Sequence, residues 1–565
     1  MLDGALLVLA WLFPLLLGLA LLARPRFPLV PASLAAVPAL MAAWSVPAGT
    51  VVEAPAMLLG AQFSLDDTGQ AFLLFTALLW LCAGLYAFSY LRQDARRPLY
   101  FAFFLLAMAG NLSLIVAGDM LTFYLGYALM SFASYGLVVH TGQDEARYAG
   151  RIYIILVVIG EVLLFAALAM IAVSTGTLSL DSLTRQPIGG LAAALVFVSF
   201  GIKAGVAMLH MWLPLAHPAA PIPASAVLSG AMIKAGVLGW LRFLSPAGAA
   251  LEYGGVLVGA GLATAFFGAA IGVSQVNPKT VLAYSSISQI GLITVSVGAW
   301  LITGDTSQAA LVAVLLYVMH HGMAKGALFL GVGFAGAGRR VLAVLLLPAL
   351  ALAGLPLTSG AAAKAVLKTT TATLPGQWPA LLDVLLPLAA VGTTLLMARF
   401  LWLIHLSPRQ AKRLPRLMWA AWLALIVCVA LFMLAWPAAA QAIPDALKPD
   451  KLWVATWPII AGALLAAAAA RFLKGLALPL FPPGDVLVVF ESVYRRLHGG
   501  WGVLAHAFRR REARIRAGWA AWRGLVSIGP TFARWELRLR ADWIVAGSSL
   551  LILALAMLLV IGLAR

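Results

Sequence analysis

Runs of about 20 apolar residues recur from one end of this chain to the other, and each is long enough to cross the ~30 Å hydrocarbon core of a bilayer as a helix. In lipid, every backbone N–H and C=O has to be satisfied within the protein, so a chain patterned this way folds as packed membrane helices. The pattern predicts 16 spans: 4–22, 28–46, 70–92, 99–117, 119–140, 150–174, 190–212, 222–243, 251–273, 279–301, 308–336, 341–374, 380–405, 416–440, 452–474 and 542–564. Of the 565 residues, 63% are hydrophobic and 10% are charged, against about a quarter charged in soluble domains. Length here counts crossings, not soluble domains.

The loops carry their own pattern. Arg24 and Arg26, then Arg92, Arg96 and Arg97, then Arg147 and Arg151, Lys279, Arg339 and Arg340, and Arg409, Lys412, Arg413 and Arg416 fall in alternate loops. The other loops hold little beyond Arg185, Lys448 and Lys451. The positive-inside rule puts the first set in the cytoplasm and the N-terminus outside, in what is expected to be a bacterial inner membrane. The first run, 4–22, lacks a basic leader and reads as a span rather than a cleaved signal. The two cysteines, Cys82 and Cys428, lie in apolar runs without a C-x-x-C, and no glycine-rich nucleotide fingerprint follows a strand, so no metal or cofactor is expected.

Residues 475–541 differ. After the linker "PLFPPGD", the stretch from Asp485 to Arg540 holds 11 arginines and four acids, interleaved with Trp501, Trp519, Trp522 and Trp535. This reads as a basic amphipathic segment on the cytoplasmic face, bound to lipid head groups or strapped across neighbouring subunits. One uninterrupted helix of that length would run to about 84 Å, but Gly499-Gly500 and Gly529-Pro530 predict breaks. The net charge of +18 does not imply nucleic acid, because this basic belt is tethered between two spans.

Ionisable groups inside spans are costly and mark function by default. "GIKAGVAMLHMWLPLAHPAAPIPASAVLSGAMIKAGVLG" places Lys203 about 13 residues into its span, roughly 20 Å deep, with Lys234 near the middle of the next. His210, seven residues after Lys203, would share its helix stripe, and Pro214, Pro218, Pro221 and Pro223 interrupt the backbone beyond it. "MHHGMAKGALF" puts His321 and Lys325 four apart on one face beside His320, and "GLPLTSGAAAKAVLK" sets a break before Lys364. One buried lysine can be an ion pair or a snorkelling span end. Four mid-span lysines with His210, His217, His320 and His321 read together as a proton relay, since burial readily moves lysine between charged and neutral forms.

"KAGVAMLHMWLPLAHPAAPIPASAVLSGAMIKAG", "NPKTVLAYSSISQIGLI", "HHGMAKGALFL" and "GLPLTSGAAAK" resemble signature stretches of the antiporter-like membrane subunits. That family includes proton-pumping subunits of respiratory complex I, large subunits of Mrp cation/proton antiporters, and relatives in membrane-bound hydrogenases and bicarbonate-uptake systems. The resemblance covers about residues 100–370. It implies an all-α integral membrane protein with a 14-helix core and two inverted five-helix repeats, each with a broken helix bearing Lys203 or Lys364, and with Lys234, His321 and Lys325 between them. The basic lateral segment and last span resemble those of the distal complex I subunit. The expected parts are N-terminal helices over 1–98, the core over 99–405, further helices over 406–474, the lateral segment over 475–541 and the final span over 542–565.

One departure stands out. The family's fifth helix usually carries a Trp-Glu pair whose Glu partners the lysine at Lys203, but "FYLGYALMSFASYGLV" has Tyr127 and Ala128 there. Asp119 corresponds to an acid that the family often has at the start of this helix. Glu161, in "ILVVIGEVLLF", is buried by about 15 Å of helical rise from Arg151 and is the expected substitute partner for Lys203. The expected relay is thus Lys203, Lys234, Glu161, His210, His217, His321, Lys325, Lys364 and Asp119. The expected function is proton translocation within a larger complex whose other membrane subunits supply the driving reaction. The alternatives are sodium/proton exchange of the Mrp type, energising of bicarbonate uptake, and a non-transporting scaffold silenced by loss of the usual Glu.

Overall fold

The computed structural model describes residues 2–58, 60–183, 186–244, 250–304, 308–408, 414–435, 448–472, 481–482, 484 and 486–488. All the elements below belong to one compact unit formed by residues 1–55 and 60–483. Apart from 481–482, 484 and 486–488, the lateral segment expected at 475–541 lies outside the described residues, as does the span expected at 542–564.

In chain order the elements are α1 (Leu2–Ala23), α2 (Leu29–Ser33), α3 (Val37–Ser45), β1 (Thr50–Ala54), β2 (Ala61–Leu65), α4 (Asp67–Tyr90), α5 (Arg97–Ile115), α6 (Met120–Val138), α7 (Asp144–Thr175) and α8 (Leu180–Leu183). There follow α9 (Gly190–Ala204), α10 (Trp212–Ala219), α11 (Ile222–Val227), a π turn (Leu228–Met232), α12 (Lys234–Phe243), α13 (Ala250–Val273), α14 (Pro278–Thr303) and α15 (Gln308–Val332). The last are α16 (Arg339–Ala353), α17 (Ser359–Thr371), α18 (Trp378–Leu406), α19 (Arg416–Ala435) and α20 (Pro449–Phe472). Among the described residues, 11 helices are long and apolar enough to cross a membrane. Several of the others predicted as spans are instead pairs of shorter helices.

Two expectations change. The segment 28–46 is two short helices, and the chain is not purely α, because β1 and β2 pair antiparallel with Thr50 opposite Leu65 and Ala54 opposite Ala61. The hairpin has a structural task. Ser64 N–H donates to Val116 O and Gly118 N–H to Gln62 O, while Gln62 N–H donates to Asp119 Oδ2 at 2.8 Å. Asp119 also caps α6, accepting from Thr122 N–H at 2.8 Å and from the Thr122 hydroxyl at 2.6 Å. An acid placed to satisfy orphan N–H groups at a helix start is an N-cap, so the structure gives Asp119 a structural post.

α15 lies at the centre, packed on α4, α11, α14, α16, α17 and α19. The outer faces of α7, α18 and α20 remain apolar and exposed, with Ile155, Val158, Val162, Phe165, Val384, Leu388, Leu464 and Leu465 all uncovered. Long helices with apolar faces both inside and outside suit a lipid surround, and this is an integral membrane protein. Between α13 and α14, close contact rests on glycine. A Cβ on Gly261 would lie 2.6 Å from Gly291 O, and one on Gly291 would lie 2.5 Å from Gly261 O. Without side chains at this crossing, backbones meet directly, which is how helices gain contact where water supplies no driving force.

Two helices break in the same way. Gly205 N–H and Val206 N–H both donate to Gly201 O, and Leu209 N–H donates to Val206 O. At the other break, Gly354 N–H and Leu355 N–H both donate to Leu350 O, and Thr358 N–H donates to Leu355 O. Each break has a left-handed glycine (φ 82° and 97°) followed three residues later by a left-handed apolar residue, Met208 (φ 70°) and Leu357 (φ 67°). The glycines adopt this conformation without cost, but Met208 and Leu357 each hold strain of about 1–3 kcal/mol, which accompanies functional backbone. Because α9 ends at Ala204, His210 stands within the break and does not share a helix stripe with Lys203.

The loops at the ends of α4 and α6 meet at a His–Asp hydrogen bond beyond the helix ends. His140 is buried edge-on to Tyr100, 5.2 Å between ring centres, and its Nε2 hydrogen-bonds Asp94 Oδ2 at 2.9 Å. Arg96 N–H donates to Asp94 Oδ1, and the Arg96 guanidinium donates to Thr141 O. Burial pushes His140 below its ordinary 6.5, outweighing the upward pull of Asp94. Burial alone would raise Asp94, but the His140 hydrogen bond and the Arg96 N–H hold it below its ordinary 3.8. Both folded values lie below the unfolded ones, so the stability of this corner is fully present above about pH 6.5 and is lost as pH falls. Amide exchange over residues 91–100, corrected for its intrinsic rate, is predicted to speed up on acidification below about pH 6.5. His140→Gln should flatten that response down to about pH 5; an unchanged response in the variant would contradict the assignment.

Candidate functional site

Lys203 occupies the last turn of α9 and is buried. Its Nζ donates to Ser131 Oγ at 3.1 Å and to the Tyr153 hydroxyl at 3.4 Å, and it lies 5.7 Å from the ring centres of Tyr127 and Tyr153. Tyr153 OH in turn donates to Ser131 O at 2.9 Å. Tyr127 thus offers its ring face to the Lys203 amine. Ser131 sits one turn beyond Ala128 on α6 and holds the amine directly.

Glu161, on α7, is brought to the same place. Glu161, Lys203, Ser131, Tyr127, Tyr153 and Trp212 line a cavity of about 10 Å³, the size that admits one water. Both Glu161 carboxylate oxygens are buried without a direct hydrogen bond. A charge left so deep is tolerated only with an opposite charge or water at hand, and Lys203 shares the cavity. Ser199 Oγ donates to Gly160 O at 2.9 Å and fixes α9 against α7 beside the pair.

The second group is central. Lys234 opens α12 directly after the π turn, and its Nζ donates to Ser229 O, a carbonyl of that turn. Ser229 Oγ and Ser286 Oγ are 2.7 Å apart, and Ser286 Oγ donates to Leu282 O at 2.9 Å. Lys325 Nζ donates to the same carbonyl at 3.0 Å. His321 is buried with neither ring nitrogen hydrogen-bonded. His217 is likewise unbonded through its ring and stacks on Phe329 at 4.5 Å. His210 packs against Phe267 and Tyr284.

The third group lies at the second break. Lys364 Nζ donates to Leu352 O at 2.9 Å and to Ala353 O at 2.7 Å, the last carbonyls of α16. A cation suits this end, where unsatisfied C=O groups gather. His320 Nδ1 hydrogen-bonds Ser359 Oγ at 2.8 Å, joining α15 to the start of α17.

The sequence reading missed the hydroxyls Ser131, Tyr153, Ser229 and Ser286, because serines in apolar spans read as packing. It also took Lys279 for a loop charge. Lys279 Nζ instead donates to His217 O at 2.9 Å, Pro218 O at 3.1 Å and Ala220 O at 2.6 Å, closing the end of α10 that the prolines leave open. Among the described residues, no three His, Cys, Asp or Glu side chains form a metal-binding group.

Residues 117–385 match the family described as NADH:quinone oxidoreductase/Mrp antiporter, transmembrane. That matched stretch is similar to antiporter-like membrane subunits. It is 31% identical over 286 residues to hydrogenase-4 component B of Escherichia coli, covering 48% of this chain and 42% of that protein. It is 32% identical over 334 residues to a putative antiporter subunit mnhA2 of Staphylococcus saprophyticus, covering 53% and 42%. The chain thus spans less than half the length of these two relatives. The fold is similar to that in the structure of the Mrp complex from Dietzia sp. DQ12-45-1b, with a TM-score of 0.72 and 23% identity over 97% of this chain and 63% of that one. The stretch that matches the family contains Lys203, Lys234, Lys325 and Lys364.

Lys279→Met is predicted to free three carbonyls at the end of α10 and to cost about 1–3 kcal/mol. Amides of residues 217–222 should then exchange faster in the intact protein, with α13 unaffected. Unchanged protection at the α10 end would contradict this capping role.

Proposed function

We propose that this antiporter-like chain conducts protons across the membrane as one subunit of a larger complex, with Lys203 and Glu161 as its switch. The observation that carries the reading is one small cavity lined by both the buried Lys203 amine and the buried Glu161 carboxyl group. In one state Glu161 stabilises charged Lys203. When the pair separates, Lys203 passes its proton inward to Lys234, and the row continues through Lys325 towards Lys364, with the neighbouring histidines shaping the field around it. Glu161 takes the place of the acid missing at Ala128.

Membrane spans on either side, orientation with the N-terminus outside, a bacterial inner membrane and an inverted-repeat core are part of the same proposal. The two breaks with one hydrogen-bond pattern support the repeat. The names of the relatives, a hydrogenase component and an antiporter subunit, support partners that supply the driving reaction. Sodium exchange is disfavoured because the cavity that Glu161 lines also holds the Lys203 amine, which repels a metal cation. A silent scaffold is disfavoured by the retention of buried lysines that such a role does not need.

Lys203→Ala is predicted to abolish coupled proton uptake in vesicles while the complex still assembles. Lys203→Arg should fail equally, since arginine keeps its proton. Glu161→Gln should stall transfer, and adding Ala128→Glu in that background should restore part of it. Near-normal uptake by an assembled Lys203→Ala complex would overturn the reading.

A further inference from the structure

Lys234 and Lys325 are fully buried on different helices, and a relay has to move a proton between them. Their amines do not touch. Each is held by a backbone carbonyl, Lys234 by Ser229 O in the π turn and Lys325 by Leu282 O on α14. The space between those two anchors is bridged by one side-chain contact, Ser229 Oγ to Ser286 Oγ at 2.7 Å. Ser286 Oγ shares the Leu282 carbonyl with Lys325, so hydroxyl and amine lie within the reach of a shared acceptor.

We propose that the Ser229–Ser286 hydroxyl pair is the proton-carrying link between Lys234 and Lys325. The inference rests on the proton-conducting reading above and names the groups that complete it. A hydroxyl can donate one proton while accepting another. Charged Lys234 gives a proton to Ser229 Oγ as Ser229 gives its own to Ser286 Oγ. Ser286 then gives its hydroxyl proton to the neutral Lys325 amine. Lys234 ends neutral, Lys325 ends charged, both serines remain hydroxyls, and rotation about their C–O bonds resets them. The π turn matters because it turns the Ser229 carbonyl out of the helical ladder and into reach of Lys234, a use typical of such turns at functional sites.

His321 is the competing route, since both lysine charges bear on its ring. Its ring nitrogens make no hydrogen bond, whereas Ser229 and Ser286 are hydrogen-bonded to each other.

The test uses the assembled complex in proton-tight vesicles. Ser286→Ala should leave assembly and thermal midpoint unchanged and lower proton flux on the order of tenfold or more. Ser286→Thr should keep most of the flux, because a helical threonine hydroxyl can also bond the i−4 carbonyl. Ser286→Cys fills the same space with a poor proton carrier and should resemble alanine, which covers the case where alanine disturbs assembly. Ser229→Ala with Ser286→Ala should be no worse than either alone, as a broken chain cannot be broken twice. Wild-type flux in Ser286→Ala or Ser286→Cys, or equal loss in the threonine and alanine variants, overturns the link. Lys203→Ala run alongside separates the claims: if it is inactive while Ser286→Ala is normal, only the serine link fails, and if it is itself normal, the proton-conducting reading fails.

Discussion

Everything in this core follows from the cost of keeping lysine amines away from water. A buried ammonium needs acceptors, and membrane helices normally consume all their carbonyls internally. The chain frees carbonyls by interrupting helices. Lys364 takes the two at the end of α16, Lys279 takes three at the end of α10, and Lys234 takes one from the π turn. Lys325 shares a carbonyl with a serine of α14. The breaks are thus the means by which charge is held at depth.

Lys203 is the exception. It has hydroxyl acceptors only, Ser131 and Tyr153, and a carboxylate across a cavity the size of one water. Carbonyls are fixed acceptors that bind the amine in one place. A hydroxyl, a water and an acid can each change partner or proton, as the proposed switch at Lys203 and Glu161 requires.

Much of this was legible in the residues. Apolar run length marked the 11 membrane-length helices found among the described residues, and "GLPLTSG" marked the second break; the first was read at the prolines after His210, whereas the helix already turns at Gly205. Lys203, Lys234, Lys325 and Lys364 declared themselves as charges with no reason to be in lipid. Glu161 was found by the same cost argument, and the fold does bring it to the Lys203 cavity. What could not be read was pairing across helices. Ser229 and Ser286 are 57 residues apart, and serine carries no burial penalty large enough to betray it. The β hairpin hid because its strands are short, and Asp119 looked like a relay acid until Gln62 and Thr122 were seen bonding it. His210 was misplaced because helical periodicity was carried across a break.

The central claim is that buried lysines change protonation state, with Lys203 governed by Glu161. Nitrogen NMR of the intact complex with isotope-labelled lysine Nζ atoms reads this directly, because charged and neutral amines resonate apart. The account predicts a Lys203 signal, identified by its loss in Lys203→Met, that converts between charged and neutral forms within the working pH range and moves towards the neutral form in Glu161→Gln. A Lys203 amine that stays charged throughout that range, and is indifferent to Glu161, would contradict it.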